Sequence, residues 1–418
     1  MSKRILPVVL VLCIIMAMAP AAFATGEEEF DTWDGTSSTT PELVDGKYQI
    51  DSAADLVGFA AMVNSGEYSD ADAVLMTGID LNGGTFIPIG AYAYKDETDV
   101  IGDAFYSGDF DGNNHTIKNG TISNASNIYN MGIFGFVNGG SVSNLTAAGI
   151  TVNSTKNTNE CSTGTIIGIL YKGTATNLTA SNGCVVTGTY RVGGVIGSVR
   201  DECTVANCDN YATVTGSGMY CGGVIGASHD MDYFFIFVTG NPATIEDCDN
   251  HGTVNGNTEV GGIVGYSDQA TITNCNNTGN VSATGNYGTG GIVGFDAYNP
   301  RGIYNPDSGS TITGCNNSGN ISGGRAGGIV GTLGATPGQS APSSAKTLTR
   351  MISCSNTGAI TGTSGKCGTI FGYQITYAHG DADEYVQTML VSFENCTAGG
   401  TVNGSATTAF TESRFVAN

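Results

Sequence analysis

Charge is the scarcest commodity in this chain: Lys, Arg, Asp and Glu make up 12% of 418 residues, and Lys plus Arg number only 15. With 37 acidic residues the formal net charge is −22. A surface of that sign repels nucleic acid and anionic membranes, which excludes both as partners. Sparse charge also argues against an enzyme with a dense polar centre. Apolar residues spaced i, i+3, i+4 over ten or more positions are nearly missing, so a helical bundle is excluded. The four His (115, 229, 251 and 379) are scattered and no CxxC pair occurs, so zinc has no ligand set. No cofactor or metal is expected.

What remains is glycine, 63 residues of it, together with Asn, Thr and Ser. That much Gly signals either disorder or a special backbone. Periodic Ile and Val decide for the backbone. Gly261–Gly294 reads GGIVGYSDQATITNCNNTGNVSATGNYGTGGIVG, beginning and ending on one word. Between the two words, Ala270–Cys275 and Gly279–Ala283 alternate one apolar side chain with Thr, Asn or Ser, as half-buried strands do.

The word recurs with its first β-branched residue at Val195, Val224, Ile263, Ile292 and Ile329, and in weaker copies at Ile133, Ile166 and Ile370. A second word, with Cys followed two residues later by Asn, places Cys at 208, 248, 275, 315 and 354. Cys396 follows in a looser copy, and Leu145 and Leu178 hold the Cys position in the two earliest turns. Copies stand about 27 to 42 residues apart. Such a unit cannot bury its own core and must stack on its neighbours. Stacking gives vertical ladders of Ile, Val and Cys, with Cys serving as a small hydrophobe. It also stacks Asn210, Asn250, Asn277, Asn317 and Asn356, where a tight turn and αL backbone are expected. The doubled Gly is expected to supply φ > 0 at a strand start. The fold class predicted is all-β, a parallel β-helix.

The segment VGGIVGYSDQATITNCNNTGNVSATG resembles the GLUG motif, a repeat of bacterial and some archaeal secreted and surface proteins. The resemblance implies a right-handed parallel β-helix in an extracellular setting. It covers about Gly132 to Gly404 and departs from the commonest pattern in placing Cys where Ser or Thr is usual, and in its long insertions. It carries over no catalytic residue.

In chain order, residues 1–24 read as a signal peptide: Lys3 and Arg4, an apolar run over Ile5–Met18, then Ala22-Phe23-Ala24 before Thr25. Cleavage takes the formal charge to −24, since no acid precedes Thr25. Residues 25–46 read as a flexible acidic leader, tied down near Trp33. Residues 47–130 read as an N-terminal cap and first coils. Ser52 caps a helix with Leu56, Phe59, Ala60 and Val63 at helical spacing, and that helix is expected to cover the bare end of the coil. Asp109 and Asp111 read as solvated carboxylates at a Gly-Asp turn, because no DxDxDG loop surrounds them. Residues 131–418 read as the repeats. The end, Phe410–Asn418, has neither an apolar span nor a sorting signal, so the exported chain is expected to be released or held non-covalently.

Eleven Cys follow the signal peptide. Ladder Cys stacked coil on coil point side by side, a poor disulfide geometry. Cys161, Cys184, Cys203, Cys221 and Cys367 lie outside the ladder and are the expected bridge partners in an exported chain.

Four coils carry insertions, at 227–242, 295–309, 332–350 and 373–389. All fall between the Gly-Gly-Ile-Val-Gly word and the strand before the next Cys. Insertions at one point of a stacked repeat emerge on one side, a candidate binding face. Three are aromatic, and the expected ligand-binding residues are Tyr233, Phe234, Phe235, Phe237, Tyr298, Tyr304, Tyr373, Tyr377 and Tyr385. Tyr has a flat apolar body and a polar tip, suited to sugars or a protein surface. The alternative for these rings is a satellite core on the coil's flank.

Three functions compete. The first is a non-catalytic, adhesin-like secreted or surface β-helix binding carbohydrate or a host or cell-surface protein. The second is a polysaccharide lyase or glycoside hydrolase, which needs a carboxylate pair or a Ca²⁺ cluster with a basic residue. The repeats hold single acids in loops, and the best acidic cluster, Asp381, Asp383 and Glu384, reads as a solvated loop. The third is a structural segment of an envelope protein. The first is preferred, and no catalytic residue is assigned. Expression of the complete chain in a secreting bacterium is expected to give an exported product starting at Thr25 by N-terminal sequencing. A full-length cytoplasmic product would contradict the signal-peptide reading.

Overall fold

The computed structural model describes residues 28–406 apart from 92, 97–98, 102–103, 124–127, 159–160, 230–241, 299–308, 336–348 and 375–390. The described strands form a parallel β-helix of three long sheets, with 20, 16 and 8 strands, beside a two-stranded ribbon. One coil shows the plan. Thr244–Glu246 and Asp249–Asn250 lie in the first sheet, Val254–Gly256 and Thr258–Gly261 in the second, and Val264–Asp268 in the third. The next coil re-enters the first sheet at Thr271–Thr273. Pairing between coils is parallel throughout. Among the described strands, antiparallel pairs occur only at Glu42–Val44 with Lys47–Ile50, in the ribbon Ala93–Asp96 with Asp99–Ile101, and at Thr401–Val402 with Ser405–Ala406.

Stacking in register turns the repeat words into columns. Val205, Ile245, Ile272, Ile312, Met351 and Phe393 pair one above another. Leu145 pairs with Leu178 and Leu178 with Cys208, so the two Leu do hold the Cys position in the first turns. The Cys column is lined by main-chain acceptors: Cys275 Sγ lies 3.3 Å from the Thr273 carbonyl and Cys315 Sγ 3.4 Å from that of Thr313. All eleven described Cys are free thiols, including Cys161, Cys184, Cys203, Cys221 and Cys367, which were expected to bridge. Burial holds the thiols of Cys203 and Cys221 in the protonated form. It pushes the Cys203 thiol up to about 11 and that of Cys221 up to about 12, leaving little thiolate for exchange.

The Asn column is buried and closed by its own amides. Each Nδ2 donates to the next coil's Oδ1: Asn210 to Asn250 at 2.8 Å, Asn250 to Asn277 at 2.7 Å, Asn277 to Asn317 at 2.7 Å and Asn317 to Asn356 at 2.6 Å. The same amide nitrogens reach the carbonyl two residues on, as Asn277 does to Gly279 at 2.9 Å. These Asn are not the αL residues. Positive φ falls just before the Cys, at Asn207, Asp247, Asn274, Gly314, Ser353 and Asn395, where the chain turns within the first sheet. The doubled Gly likewise needs no positive φ. A Cβ at Gly262 would stand 2.0 Å from the Gly291 carbonyl oxygen and 2.8 Å from Asn277 Oδ1, so close approach of the next coil demands glycine there.

The helix runs over Ala53–Asn64, with Ser52 Oγ accepting from the Asp55 amide at 3.1 Å, and it buries Leu56, Phe59, Ala60 and Val63. The leader is tied down further than expected. Phe30–Thr32 pairs with Gly78–Asp80, and buried Trp33 donates from Nε1 to the Ser37 carbonyl at 2.9 Å.

Replacing Asn277 by Ala removes a donor and an acceptor from the buried column and strands the Asn317 Oδ1. A loss of about 2–4 kcal/mol is expected, against about 0.5 kcal/mol or less for the exposed Thr271→Ala. Urea unfolding of both variants measures the difference, and equal losses would show that the amide column contributes nothing special.

Candidate ligand-binding face

The third sheet turns the residue after each closing Gly away from the coil's main core, and all of that row but Phe136 and Tyr373 are buried. Phe136, Ile169, Ser198 and Ala227 pair in succession, followed by Tyr266, Phe295, Thr332 and Tyr373. The row exists because strand side chains alternate: Val199, Ser228 and Ser267, one residue on, point into the coil. Asp296 follows Ser267 in that inward column. It accepts from Ser310 Oγ and Thr349 Oγ1, each at 2.5 Å, and burial pushes its carboxyl up to about 6.

In the middle of the outward row sits a small apolar cluster separate from the main core: Ala227, Tyr266, Phe295 and Ala297, with Tyr220 against it. Tyr266 and Phe295 stack at 5.9 Å with an interplanar angle of 3°, and Tyr220 tilts onto Tyr266 at 4.6 Å. Phe295, at the start of one insertion, is therefore a buried strand residue. Glu259, between Tyr220 and Gly288 in the neighbouring column, is 5% exposed, and burial pushes its carboxyl up to about 7.

At the far end of the same face lies a group that the sequence reading did not assemble. Arg325 and Lys366 pair in register on adjacent coils. Lys366 Nζ stands 4.3 Å from the Tyr373 ring centroid, and the Arg325 guanidinium carbon 4.7 Å from it and 5.5 Å from that of Tyr287. Tyr287 is 49% exposed. The signal was present but quiet: Glu259, Gly288, Arg325 and Lys366 all stand two residues before the first Gly of the Gly-Gly word, so the repeat itself puts them in one column.

Of the expected ligand-binding residues, Tyr373 is placed in this group. Tyr298 is the last residue of the strand Val293–Tyr298. Tyr233, Phe234, Phe235, Phe237, Tyr304, Tyr377 and Tyr385 lie outside the described residues, as do most of the four insertions and the acidic cluster Asp381, Asp383 and Glu384. The points where the insertions leave the coil are described, and they coincide. Each follows a third-sheet strand (Ile225–His229, Val293–Tyr298, Val330–Ala335, Phe371–Gln374) and returns to the first sheet. In the uninterrupted coil the same corner holds only Gln269 and Ala270. Elsewhere, Asp109 accepts from Ser141 Oγ at 2.6 Å and Asp111 from the Asn113 amide at 2.8 Å. Among the described residues no group of three or more His, Cys, Asp or Glu is arranged to hold a metal.

Coils, in-register columns and a shared departure point for the insertions define a parallel β-helix repeat protein. A model of the GLUG motif matches residues 256–282, one turn of that helix. Among solved structures, the chain is similar to the crystal structure of a "putative immunoglobulin A1 protease" from Bacteroides ovatus. Identity is 20%, the match covers 90% of this chain and 83% of that one, and the TM-score is 0.42. No curated protein matches. No described helix is long and apolar enough to cross a membrane.

Glu259 gives this face a pH signature. Its folded value lies above the ordinary 4.5, so its contribution to stability is full below pH 4.5 and is lost as pH rises through about 7. Glu259→Gln is expected to match the native chain at pH 4.5 and to exceed it by about 3 kcal/mol at pH 8. Urea unfolding at the two pH values measures this, and a variant weaker than the native chain at pH 8 would contradict it.

Proposed function

We propose that the protein is exported and acts as a non-catalytic, adhesin-like β-helix whose ligand is carbohydrate on a cell or host surface. The binding face is the outward side of the third sheet together with the four insertions. One observation carries this reading: the four insertions leave the coil at a single corner, beside a third-sheet row that ends on the half-buried Tyr373. A rigid coil fixes the spacing of whatever its corner presents, at about 4.8 Å per turn. That spacing suits a ligand with its own repeat, such as a glycan chain. Flat aromatic bodies with hydroxyl tips suit sugar rings, which offer an apolar face and a polar rim. Export is supported by the signal-peptide pattern and by the GLUG motif.

The test is a glycan array probed with the mature chain and with a variant carrying Tyr233, Phe234, Phe235, Tyr298, Tyr304, Tyr373 and Tyr377 changed to Ala. Circular dichroism of both chains reports whether the coil is retained. Binding by the native chain and its loss in a folded variant are expected. A native chain that binds no arrayed glycan, or a folded variant that binds as well, would sink the proposal.

A further inference from the structure

The cation pair on the binding face is an anomaly that a ligand would resolve. The chain has only 15 Lys and Arg against 37 Asp and Glu, yet two of the 15 stand next to each other on adjacent coils. Like charges placed opposite one another across strands are destabilising. Among the described residues neither is within ion-pair distance of a carboxylate; the ion pairs lie at His115–Glu28, Lys118–Asp80 and Lys172–Asp201. Arg325 Nη1 is also buried without a hydrogen-bond partner, a costly state for a charged donor. Both cations are held against one aromatic ring, which fixes their position without neutralising them.

We infer that Arg325, Lys366, Tyr287 and Tyr373 form a subsite for an acidic sugar, one whose ring bears a carboxylate or a sulfate. The inference rests on the carbohydrate reading above and narrows it. The Arg325 fork and the Lys366 ammonium take the oxyanion, with the free Nη1 supplying a donor already desolvated. Tyr287, exposed beside the guanidinium, offers a face for the sugar ring. The acidic surface elsewhere disfavours a uniformly charged polyanion, so the ligand is a glycan with an isolated or terminal acidic residue.

The experiment titrates the mature chain with sialyllactose, sulfated lactose and lactose by calorimetry, beside Arg325→Gln/Lys366→Gln. The exposed Lys366→Gln alone serves if the double variant does not fold. Tighter binding of an acidic probe than of lactose is expected. That advantage should fall roughly tenfold in the variant and also on raising salt from about 50 to about 500 mM. Preference for the carboxylate or the sulfate probe tells which oxyanion is read. Equal affinity for lactose and the acidic probes, unchanged in the variant, would overturn the subsite and leave carbohydrate binding standing. Binding of polyglutamate in preference to every glycan would overturn the acidic sugar and the carbohydrate reading together.

Discussion

Everything in this molecule depends on one coil lying in register on the next. Strands stacked about 4.8 Å apart force every position to be chemically compatible with its own repeat above and below. Apolar positions meet this trivially. Polar interior positions meet it only when the group is both donor and acceptor along the axis, which is why the buried column is Asn and not Asp or Lys. The amide from Asn210 to Asn356 satisfies itself by repetition. The glycine beside it exists to let the next backbone come close enough for that bond to form. Asn and Gly are thus one device in two residues.

The same rule works against charge. A column of carboxylates or ammonium groups would repel along its whole length, so charge is sparse on the strands, and where Asp209 and Asp249 do pair in register the carboxyl of Asp209 is pushed up by burial and by its neighbour. The scarcity of charged residues in the composition is therefore a consequence of the architecture. Two in-register cations at Arg325 and Lys366 run against the same rule, as Asp209 and Asp249 do among the acids.

Much of the coil was legible in the sequence because period, word and column are the same fact. The substitution of Leu145 and Leu178 for Cys could be read from spacing alone. The backbone reasons for Asn and Gly could not, since a left-handed turn and a close approach both select glycine-like residues. Only φ at Asn274 and the contact at Gly262 separate them. The candidate face was half legible. One-sided insertion follows from where the extra residues fall, whereas Arg325, Lys366 and Tyr287 meet only when turns are wound to the correct register. Phe295 shows the opposite error: lying at the start of an insertion, it reads as part of a loop, and it is in fact a stacked strand residue.

The unbridged thiols have a consequence for how the chain must come together. Nine of the eleven Cys are protected from oxidation by burial in the wound coil, while Cys367 and Cys396 are only partly enclosed. In the unwound chain each is an ordinary thiol, and Cys on successive turns become neighbours as soon as those turns meet. In an oxidising medium, winding therefore competes in time with disulfide formation. A turn that closes first locks its Cys away, while one that lags is open to a cross-link the finished column has no room for. Because each turn templates the next, order of assembly matters here as much as final stability.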